Sequence, residues 1–205
     1  MTNTETPDSN TKKSKSGRTT LIMILVVALL PVVAAYTMFF SGVGVPDNTV
    51  NKGALIKAIN LEGVVDADTW QRIQEDKKWR LLLPVGKQCN EACESNYYTT
   101  RQVHVRLGEK GVRIERIALN YGGEYGSAYL DSLSESHPLL KRVTVDSSVW
   151  DSWSESLEMF KEDKSSHFYM LVDQEGNAMM VYTDQHGNDL LKDIKRALKY
   201  SIDYQ

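Results

Sequence analysis

The stretch WRLLLPVGKQCNEAC, residues 79–93, places a short apolar run directly before two cysteines. Residues 80–85 are short and apolar, which predicts a buried strand. The segment that follows, residues 89–107, contains neither glycine nor proline and stops at Gly108, which predicts a helix. The sequence therefore predicts a buried strand that leads into a helix opening with Cys89 and Cys93.

Cys89 and Cys93 are the only cysteines of the chain. Residues four apart lie on one face of a helix, so both sulfurs can contact one metal ion or each other. The unpaired N–H groups and the positive dipole end at a helix N-terminus both lower the pKa of a thiol, which favours the reactive thiolate. The pair is therefore the candidate redox site and also the candidate metal site.

The most apolar part of the sequence is LIMILVVALLPVVAAYTMFF, residues 21–40, which carries no charge. At about 1.5 Å per residue this segment spans roughly 30 Å, enough to cross a bilayer core. Membrane helices tolerate an internal proline such as Pro31. The apolar core of a signal peptide is only about 7–15 residues long, so the length favours an uncleaved anchor. Four basic residues just before it predict a cytoplasmic N-terminus: Lys12, Lys13, Lys15 and Arg18.

The charge of the remaining chain limits its partners. The chain has 24 basic and 27 acidic residues, and the first 40 residues hold four and two of these, which leaves a net charge of −5 after residue 40. An acidic domain argues against nucleic acid as a partner. We therefore expect a single-pass protein of the bacterial cytoplasmic (inner) membrane whose C-terminal domain is periplasmic. Disulfides are permitted in that compartment.

These features divide the chain into four predicted segments. Residues 52–68 contain Leu55, Ile56 and Ile59, a pattern of either a short amphipathic stretch or an edge strand. The predicted segments are a cytoplasmic disordered tail (1–20), a transmembrane helix (21–40), a tether with an N-terminal extension (41–68) and a thioredoxin-like periplasmic domain (69–205).

After Gly108 the patterns alternate between strand and helix. The predicted elements are a strand at 112–119, a helix at 127–136, a strand at 143–145, a helix from Ser147 or Ser148 to about 161, a hairpin with strands at 168–172 and 178–182, and an amphipathic helix at 189–200. The order β-α-β-α-β-α-β-β-α predicts an α/β fold. It is typical of a thioredoxin-like domain with a central mixed sheet flanked by helices, in which C-x-x-C near a βαβ unit is a redox motif. The spacing of Cys89 and Cys93 is one residue longer than in that motif.

Residues 81–200 resemble the Sco family, the membrane-anchored copper chaperones of cytochrome c oxidase assembly. Members of that family have one N-terminal span, a thioredoxin-like outer domain and two cysteines four apart at the start of the first main helix, where this chain has Cys89 and Cys93. The third copper ligand of the family is a histidine shortly before the last hairpin, and the corresponding residue is His167. The chain is also similar to small anchored proteobacterial proteins that accompany oxidase assembly factors, on Tyr97, Arg101-Gln102 and Leu107-Gly108.

The resemblance implies Cu(I) as the metal and a subunit of cytochrome c oxidase or a copper chaperone as the partner. Cys89, Cys93 and His167 would be the ligands, and thiolates are soft ligands that suit Cu(I). A thiol-disulfide oxidoreductase is an alternative, because exchange needs only two thiols. Such enzymes normally carry C-x-x-C and a facing cis-proline, whereas no proline follows Pro138 here. A third hypothesis is a non-catalytic assembly scaffold with a structural disulfide, so the sequence leaves open whether the protein is an enzyme.

Overall fold

The computed structural model describes residues 16–41, 51–157, 168–183 and 187–201. The chain divides into two units between Thr49 and Val50. The first unit contributes helix α1, Ser16–Ser41, which is 26 residues long and has Pro31 in its interior. Its segment Gly17–Ser41 has a mean hydropathy of 2.6, so α1 is long and apolar enough to cross a membrane. This helix contains the predicted span, residues 21–40.

The second unit carries the predicted alternation of strands and helices. Its described elements are β1 (Ala54–Asn60), α2 (Ala67–Asp76), β2 (Trp79–Val85), α3 (Glu91–Arg106), a 3-10 helix (Gly108–Arg113), β3 (Ile114–Asn120), α4 (Glu124–Ser132), β4 (Leu140–Thr144), α5 (Ser147–Ser154), β5 (Tyr169–Val172), β6 (Asn177–Tyr182) and α6 (Gly187–Tyr200). From β2 onward the order of elements is the predicted one. The unit also includes β1 and α2. It therefore begins before residue 69, which is the predicted start of the domain.

The strands form one mixed sheet in the order β1-β6-β5-β2-β3-β4. The strands β2, β3 and β4 are parallel, whereas β5 and β6 form an antiparallel hairpin on the other side of β2. Every residue of β2 and of β3 is buried, as expected for parallel strands covered on both faces. Strand β1 pairs antiparallel with β6 at the edge of the sheet, so of the two structures considered for residues 52–68 the edge strand is found.

A separate cluster of buried side chains lies on each face of the sheet, between the strands and the helices that cover them. One face carries residues of α3, α4 and α6, and the other face carries residues of α2 and α5. Members of the first cluster are Leu81, Leu83, Cys93, Tyr97, Leu130 and Ile194, and members of the second are Ile73, Leu82, Ile117, Trp150 and Met170. The alternation of β2 residues between the clusters follows from the period of two in a strand. The thioredoxin-like layering is thus confirmed.

Several helix and strand boundaries differ from the predicted ones, among them the start of β4, which is Leu140 rather than residue 143, and the end of α4, which is Ser132 rather than residue 136. Asp146 caps α5, because its Oδ1 accepts the N–H of Ser148 at 2.8 Å, so neither Ser147 nor Ser148 is the cap. Helix α4 begins at Glu124 rather than at residue 127. Strand β3 begins at Ile114 because the 3-10 helix takes up the two residues before it. The end of the predicted helix near residue 161 lies outside the described residues.

The buried carboxylate of Asp193 in α6 holds the beginning of the second unit. Its Oδ2 accepts the backbone N–H groups of Lys52 at 2.8 Å and Gly53 at 2.9 Å, and the hydroxyl of Tyr182 at 3.2 Å. Its Oδ1 lies 3.5 Å from the guanidinium of Arg196. Asp193 is only 2% exposed, so these contacts compensate for the loss of water around its charge. They fix the segment that enters β1 against α6.

Candidate thiol site

The cysteine pair lies where β2 ends and α3 begins. Asn90 is the N-cap of α3, and its Oδ1 accepts the N–H of Cys93 at 3.1 Å. Asparagine is among the best residues at this position because its side chain satisfies one of the free N–H groups of the first turn. Cys93 is therefore the third residue of α3, and Cys89 lies just before the N-cap, two residues before the helix begins. The pair was predicted at the helix start, although the predicted helix began at residue 89 and α3 begins at Glu91.

Cys89 and Cys93 form a disulfide, and their Cα atoms are 5.2 Å apart. That separation falls within the range in which a disulfide forms without movement of the backbone. The two residues differ in exposure: Cys93 is 1% exposed, whereas Cys89 is partly exposed at the edge of the core. Cys89 is therefore the member of the pair that a second molecule can reach.

The loop before Cys89 packs tightly on the loop that follows β3. A Cβ atom at Gly122 would lie 2.0 Å from the carbonyl oxygen of Gly86, so only glycine allows this approach of the two backbones. The N–H of Tyr121 also donates to the carbonyl of Val85 at 3.0 Å. Because β2 and β3 are parallel neighbours, both loops emerge at the same edge of the sheet. The second loop therefore forms one wall of the thiol site.

Asn120, the last residue of β3, organises this second loop. Its Oδ1 accepts the N–H of Gly122 at 2.9 Å, and its Nδ2 donates to the carbonyl of Gly123 and to the Oγ of Ser127, both at 3.0 Å. The Asn120 side chain is 1% exposed and uses both ends of its amide. The first turn of α4 is thereby held in place beside the cysteines.

Tyr125 in that first turn contacts the site directly. Its hydroxyl oxygen accepts the backbone N–H of Cys89 at 3.2 Å, and the side chain is 44% exposed. Tyr125 was not among the site residues predicted from the sequence. A usable signal was present, because the carboxyl ends of neighbouring parallel strands meet at one edge, where binding residues concentrate. The residues just after β3 could thus have been expected beside Cys89.

Two further tyrosines line the inner side of the site. Tyr97, one helical turn after Cys93, is buried, and its hydroxyl donates to the carbonyl of Leu83 at 3.3 Å. The edge of its ring packs against Tyr129 with ring centroids 5.7 Å apart. Burial raises the pKa of Tyr97, and burial together with nearby Glu94 raises the pKa of Tyr129 to about 12. Both phenols therefore stay protonated at neutral pH.

A buried cation lies beneath the middle of α3. Arg116 on β3 is 2% exposed and donates to the carbonyl of Tyr97 at 2.9 Å and to the Oγ1 of Thr100 at 3.2 Å. Its guanidinium also lies 3.3 Å from the Nδ1 of His137, and burial lowers the pKa of Arg116 to about 10. Burial, and then the charge of Arg116, lower the pKa of His137 to about 4. His137 is thus a neutral acceptor for Arg116, and this assigns it a structural role.

His167, the predicted third ligand, lies outside the described residues. The next residue, Phe168, is buried and stacks on Trp150 with centroids 6.3 Å apart, and Trp150 stacks on Tyr121 at 4.9 Å. Strand β5 runs antiparallel to β2, so β5 starts at the edge of the sheet where β2 ends. The described chain therefore resumes near the thiol site, and the role of His167 stays a prediction.

The site offers two sulfur atoms to a soft metal ion. The two sulfurs suit Cu(I), and the bridge between them shows that they can come close together. Within the described ranges, no group of three or more histidine, cysteine, aspartate or glutamate residues could hold a metal ion. A third histidine, aspartate or glutamate ligand would therefore have to come from residues outside those ranges or from another molecule.

Solved structures with the same fold include two Sco proteins. The chain is 12% identical to yeast Sco1 with copper bound, with a TM-score of 0.54 over 77% of this chain and 99% of that one. It is 14% identical to Arabidopsis thaliana ScoI with copper bound, with a TM-score of 0.52 over 73% and 99% of the two chains. At these identities the likeness establishes the fold. No curated protein matches the chain.

A family model matches residues 79–201, which is more than half of the chain. The match begins at the first residue of β2 and ends just after α6, so it includes the cysteine pair, the parallel strands and the terminal hairpin. The chain therefore belongs to the family described as "Transmembrane-like, thioredoxin-like, C-terminal domain".

Proposed function

We propose that this protein is a membrane-anchored, thiol-handling assembly factor in which Cys89 and Cys93 alternate between a disulfide and a dithiol. The observation that carries the proposal is the unequal exposure of the two residues: Cys89 is partly exposed, and Cys93 is 1% exposed. Exchange requires one sulfur that a partner can reach and a second that resolves the mixed disulfide. In this chain Cys89 is the sulfur that a partner can reach, and Cys93 is the sulfur that resolves the mixed disulfide.

The exchange step uses a cysteine pair of another protein as the reductant. A thiolate of the partner attacks the Sγ of Cys89, which breaks the Cys89–Cys93 bond and releases the Cys93 thiolate. The second partner thiolate then attacks the sulfur of its own chain in the mixed disulfide and releases the Cys89 thiolate. Two electrons pass from the partner to this protein, the partner becomes a disulfide, and the thiolates of this protein take up protons according to their pKa values. The reverse sequence reduces an oxidised partner.

The helix start favours the thiolate form that this exchange needs. Cys93 is the third residue of α3, within the first turn, where the helix dipole is positive. A stabilising role for the disulfide is weaker, because a bridge between residues four apart closes a very short loop and removes little entropy from the unfolded chain. The geometry thus favours a functional pair over a structural one.

The partner class follows from the anchor and from the fold. Helix α1 would hold the domain at the membrane, and the Sco likeness suggests an oxidase subunit or a copper chaperone outside the cytoplasm as the source of the partner cysteines. The acidic charge of the domain argues against nucleic acid as a substrate.

Trapping of the mixed disulfide tests the proposal. The full chain in detergent, carrying Cys93→Ser, is incubated with a synthetic peptide that contains a two-cysteine disulfide. We expect a mixed disulfide through Cys89, seen by mass spectrometry without reductant. The matched variant Cys89→Ser should trap at least about tenfold less, because its remaining thiol is buried. Equal trapping by the two variants, or none by either, would contradict the proposal.

Cu(I) binding is the second candidate, and it is favoured by the presence of copper in Sco structures with this fold. Here Cu(I) would be cargo, held by the sulfurs of Cys89 and Cys93 after the disulfide has been reduced. Titration of the reduced full chain against a coloured Cu(I) chelator should give one ion per chain, and the double variant Cys89→Ser/Cys93→Ser should give none. If the double variant instead supports oxidase assembly as well as the parent does, the cysteine pair is not needed for assembly. That result would favour the hypothesis of a non-catalytic scaffold.

A further inference from the structure

We infer that a groove at the amino ends of the parallel strands is a docking surface for a lipid bilayer that contains anionic lipid. This strand-start groove has a volume of about 450 Å³, and its lining includes Lys78, Val105, Val112, Glu115, Leu139 and Lys141. The inference concerns the edge of the sheet opposite the cysteines, so it does not rest on the proposed thiol chemistry.

The position of the groove follows from the strand order. Lys78 immediately precedes β2, Val112 lies in the 3-10 helix that precedes β3, and Leu139 immediately precedes β4. These strands are parallel neighbours, so their amino ends share one edge of the sheet, whereas Cys89 follows the carboxyl end of β2. Strand β2 has seven residues, which at about 3.3 Å per residue separates the two edges by roughly 20 Å. A surface that covers the groove would therefore leave the thiol site accessible.

The groove concentrates the exposed aliphatic side chains of the second unit. Val105, Val112 and Leu139 all line it, and they are 66%, 64% and 66% exposed. The other large aliphatic side chains that are exposed among the described residues of this unit are Leu55 and Val149, at 51% and 36%. Single exposed apolar residues are ordinary in soluble domains, but a contiguous set marks a surface that contacts a protein or a membrane.

The charge of the groove is positive although the domain as a whole is acidic. Lys78 and Lys141 line the groove, and neither ammonium group forms an ion pair with a residue that the structure describes. Glu115 also lines it, but this carboxylate is 9% exposed and pairs with Arg72 at 2.6 Å and with Arg80 at 3.4 Å. The two lysines are therefore the charges that the groove offers to a partner.

The connection to α1 keeps a bilayer within reach of this groove. Helix α1 is long and apolar enough to cross a membrane, and the nine residues 42–50, which extend to about 30 Å at most, connect it to Asn51. The Oδ1 of Asn51 accepts a hydrogen bond from Arg196 of α6 at 3.2 Å. Arg113 of the 3-10 helix donates to the carbonyl of Leu198, half a turn further along α6, at 3.3 Å. The chain thus enters the domain close to the edge that carries the groove.

A bilayer with anionic lipid matches both properties of the groove. Its phosphate groups attract the ammonium groups of lysines, and apolar side chains enter the boundary between the headgroups and the acyl chains. A short connection to a membrane-spanning helix also raises the local concentration of this surface above that of a partner free in solution. These arguments favour lipid over an acidic protein as the occupant.

Fluorescence quenching in nanodiscs tests the inference on the full chain. Val112→Cys is introduced into the Cys89→Ser/Cys93→Ser background and labelled with bimane. Each disc carries one copy of the protein, which excludes a second copy as the cover, together with lipid that bears a nitroxide quencher on its headgroup. We expect quenching to be at least about twofold stronger in discs of mixed phosphatidylglycerol and phosphatidylcholine than in discs of phosphatidylcholine alone. The difference should shrink in about 0.5 M salt, which screens charges beyond about 5 Å.

Matched variants control for the position of the label and for charge. Val149→Cys is labelled in the same background, because Val149 is exposed on α5, which follows the carboxyl end of β4. Its quenching should be the same in both kinds of disc. Lys78→Gln/Lys141→Gln should lower the ratio of docked to undocked domain about 25-fold, since each lysine near an anionic surface contributes about fivefold. Lys57→Gln/Lys195→Gln, which removes two exposed lysines outside the groove, should leave the ratio unchanged.

Three results would overturn the inference. The first is equal quenching of the label at position 112 in the two kinds of disc. The second is equal quenching at positions 112 and 149 in the anionic discs, because the domain would then approach the membrane without a preferred face. The third is quenching at position 112 that survives the loss of both groove lysines, because anionic headgroups would then not be what the groove binds. All three would leave the thiol proposal intact, since these proteins lack both native cysteines.

Discussion

His137 is a buried base that the fold keeps neutral, and this makes the stability of the domain depend on pH. The pKa of His137 is lowered from its ordinary value of 6.5 to about 4, by burial and by Arg116. Between these two values the unfolded chain binds a proton that the folded chain does not bind. The free energy of unfolding should therefore fall as the pH drops from about 6.5 to 4, by about 2–3 kcal/mol for this group.

His137→Asn separates this effect from the titration of carboxylates. The Asn side-chain oxygen can still accept from Arg116, but it has no proton to gain. Chemical denaturation followed by tryptophan fluorescence at several pH values should show a flatter dependence in the variant than in the parent between pH 6.5 and 4. Parallel curves for the two proteins would show that His137 takes no part.

His167 is the residue on which the copper and redox hypotheses differ most. If it is the third Cu(I) ligand, His167→Ala should weaken Cu(I) binding by the reduced chain about 10-fold or more, since a three-coordinate site loses one of its bonds. Oxidation of Cys89 and Cys93 to the disulfide should persist, because exchange needs no imidazole.

A competition titration against a Cu(I) chelator measures the affinity, and His104→Ala is the control. His104 is on α3 and contacts the carbonyl oxygen of Gly111 at 3.0 Å, away from the helix start that carries the cysteines. Equal affinity of the parent and His167→Ala would remove the Sco-like ligand set and leave the dithiol to act alone.

The residues of the site differ in how far their roles could be predicted from sequence. The position of Cys89 and Cys93 at the start of α3 follows from local rules, because spacing and helix boundaries depend on neighbouring residues. Tyr125 is 36 residues after Cys89, and their contact depends on how two loops pack. No pattern within either loop specifies that contact, and the parallel pairing of β2 and β3 indicates only that residues just after β3 lie beside Cys89.

At the scale of elements, sequence patterns predicted every strand and α-helix from β2 to α6, whereas the 3-10 helix Gly108–Arg113 was not predicted. The apolar runs of β2 and the amphipathic face of α6 are strong patterns, since one is buried on all sides and the other on one side. The edge strand β1 was ambiguous because most of its residues are exposed or half-buried. Its place in the sheet depends on pairing with β6 and on contacts of the preceding residues with α6.

Those contacts give a prediction about Asp193. Its carboxylate binds two backbone N–H groups and a tyrosine hydroxyl while almost fully buried. Asp193→Ala would leave the N–H groups of Lys52 and Gly53 and the charge of Arg196 without this partner. We expect the free energy of unfolding to fall by about 2–4 kcal/mol.

Asp189→Ala provides the comparison on the same helix. Asp189 pairs with the exposed Lys192 at 3.1 Å near the start of α6, and such surface pairs contribute little. Asp189→Ala should lower the free energy of unfolding by less than about 1 kcal/mol in the same denaturation experiment. If the two variants were equally stable, the contacts of Asp193 would not be what holds the start of the unit.

At the scale of the whole molecule, two separate features of the sequence predict two different parts of the structure. One long apolar helix fits a single-pass membrane protein, and the alternating pattern after it specifies a thioredoxin-like domain. The same fold serves different chemistries, so the fold alone does not decide between copper transfer and thiol exchange. The decision depends on a few side chains at one edge of the sheet, among them Cys89, Cys93 and Tyr125.

The side of the membrane on which this edge lies is the last prediction, and the cysteine pair itself can report it. Four basic residues precede the apolar segment, and such residues are retained on the cytoplasmic side, so the domain should be outside. In intact bacterial spheroplasts treated with a membrane-impermeant reductant, an impermeant maleimide should label Cys89. The matched control carries Thr11→Cys in a Cys89→Ser/Cys93→Ser background and should be labelled only after lysis. The opposite pattern, with Thr11→Cys labelled in intact cells and Cys89 protected, would place the thiols in the cytoplasm. Thiols there are kept reduced, and a pair that alternates with a stable disulfide would lose its chemical rationale.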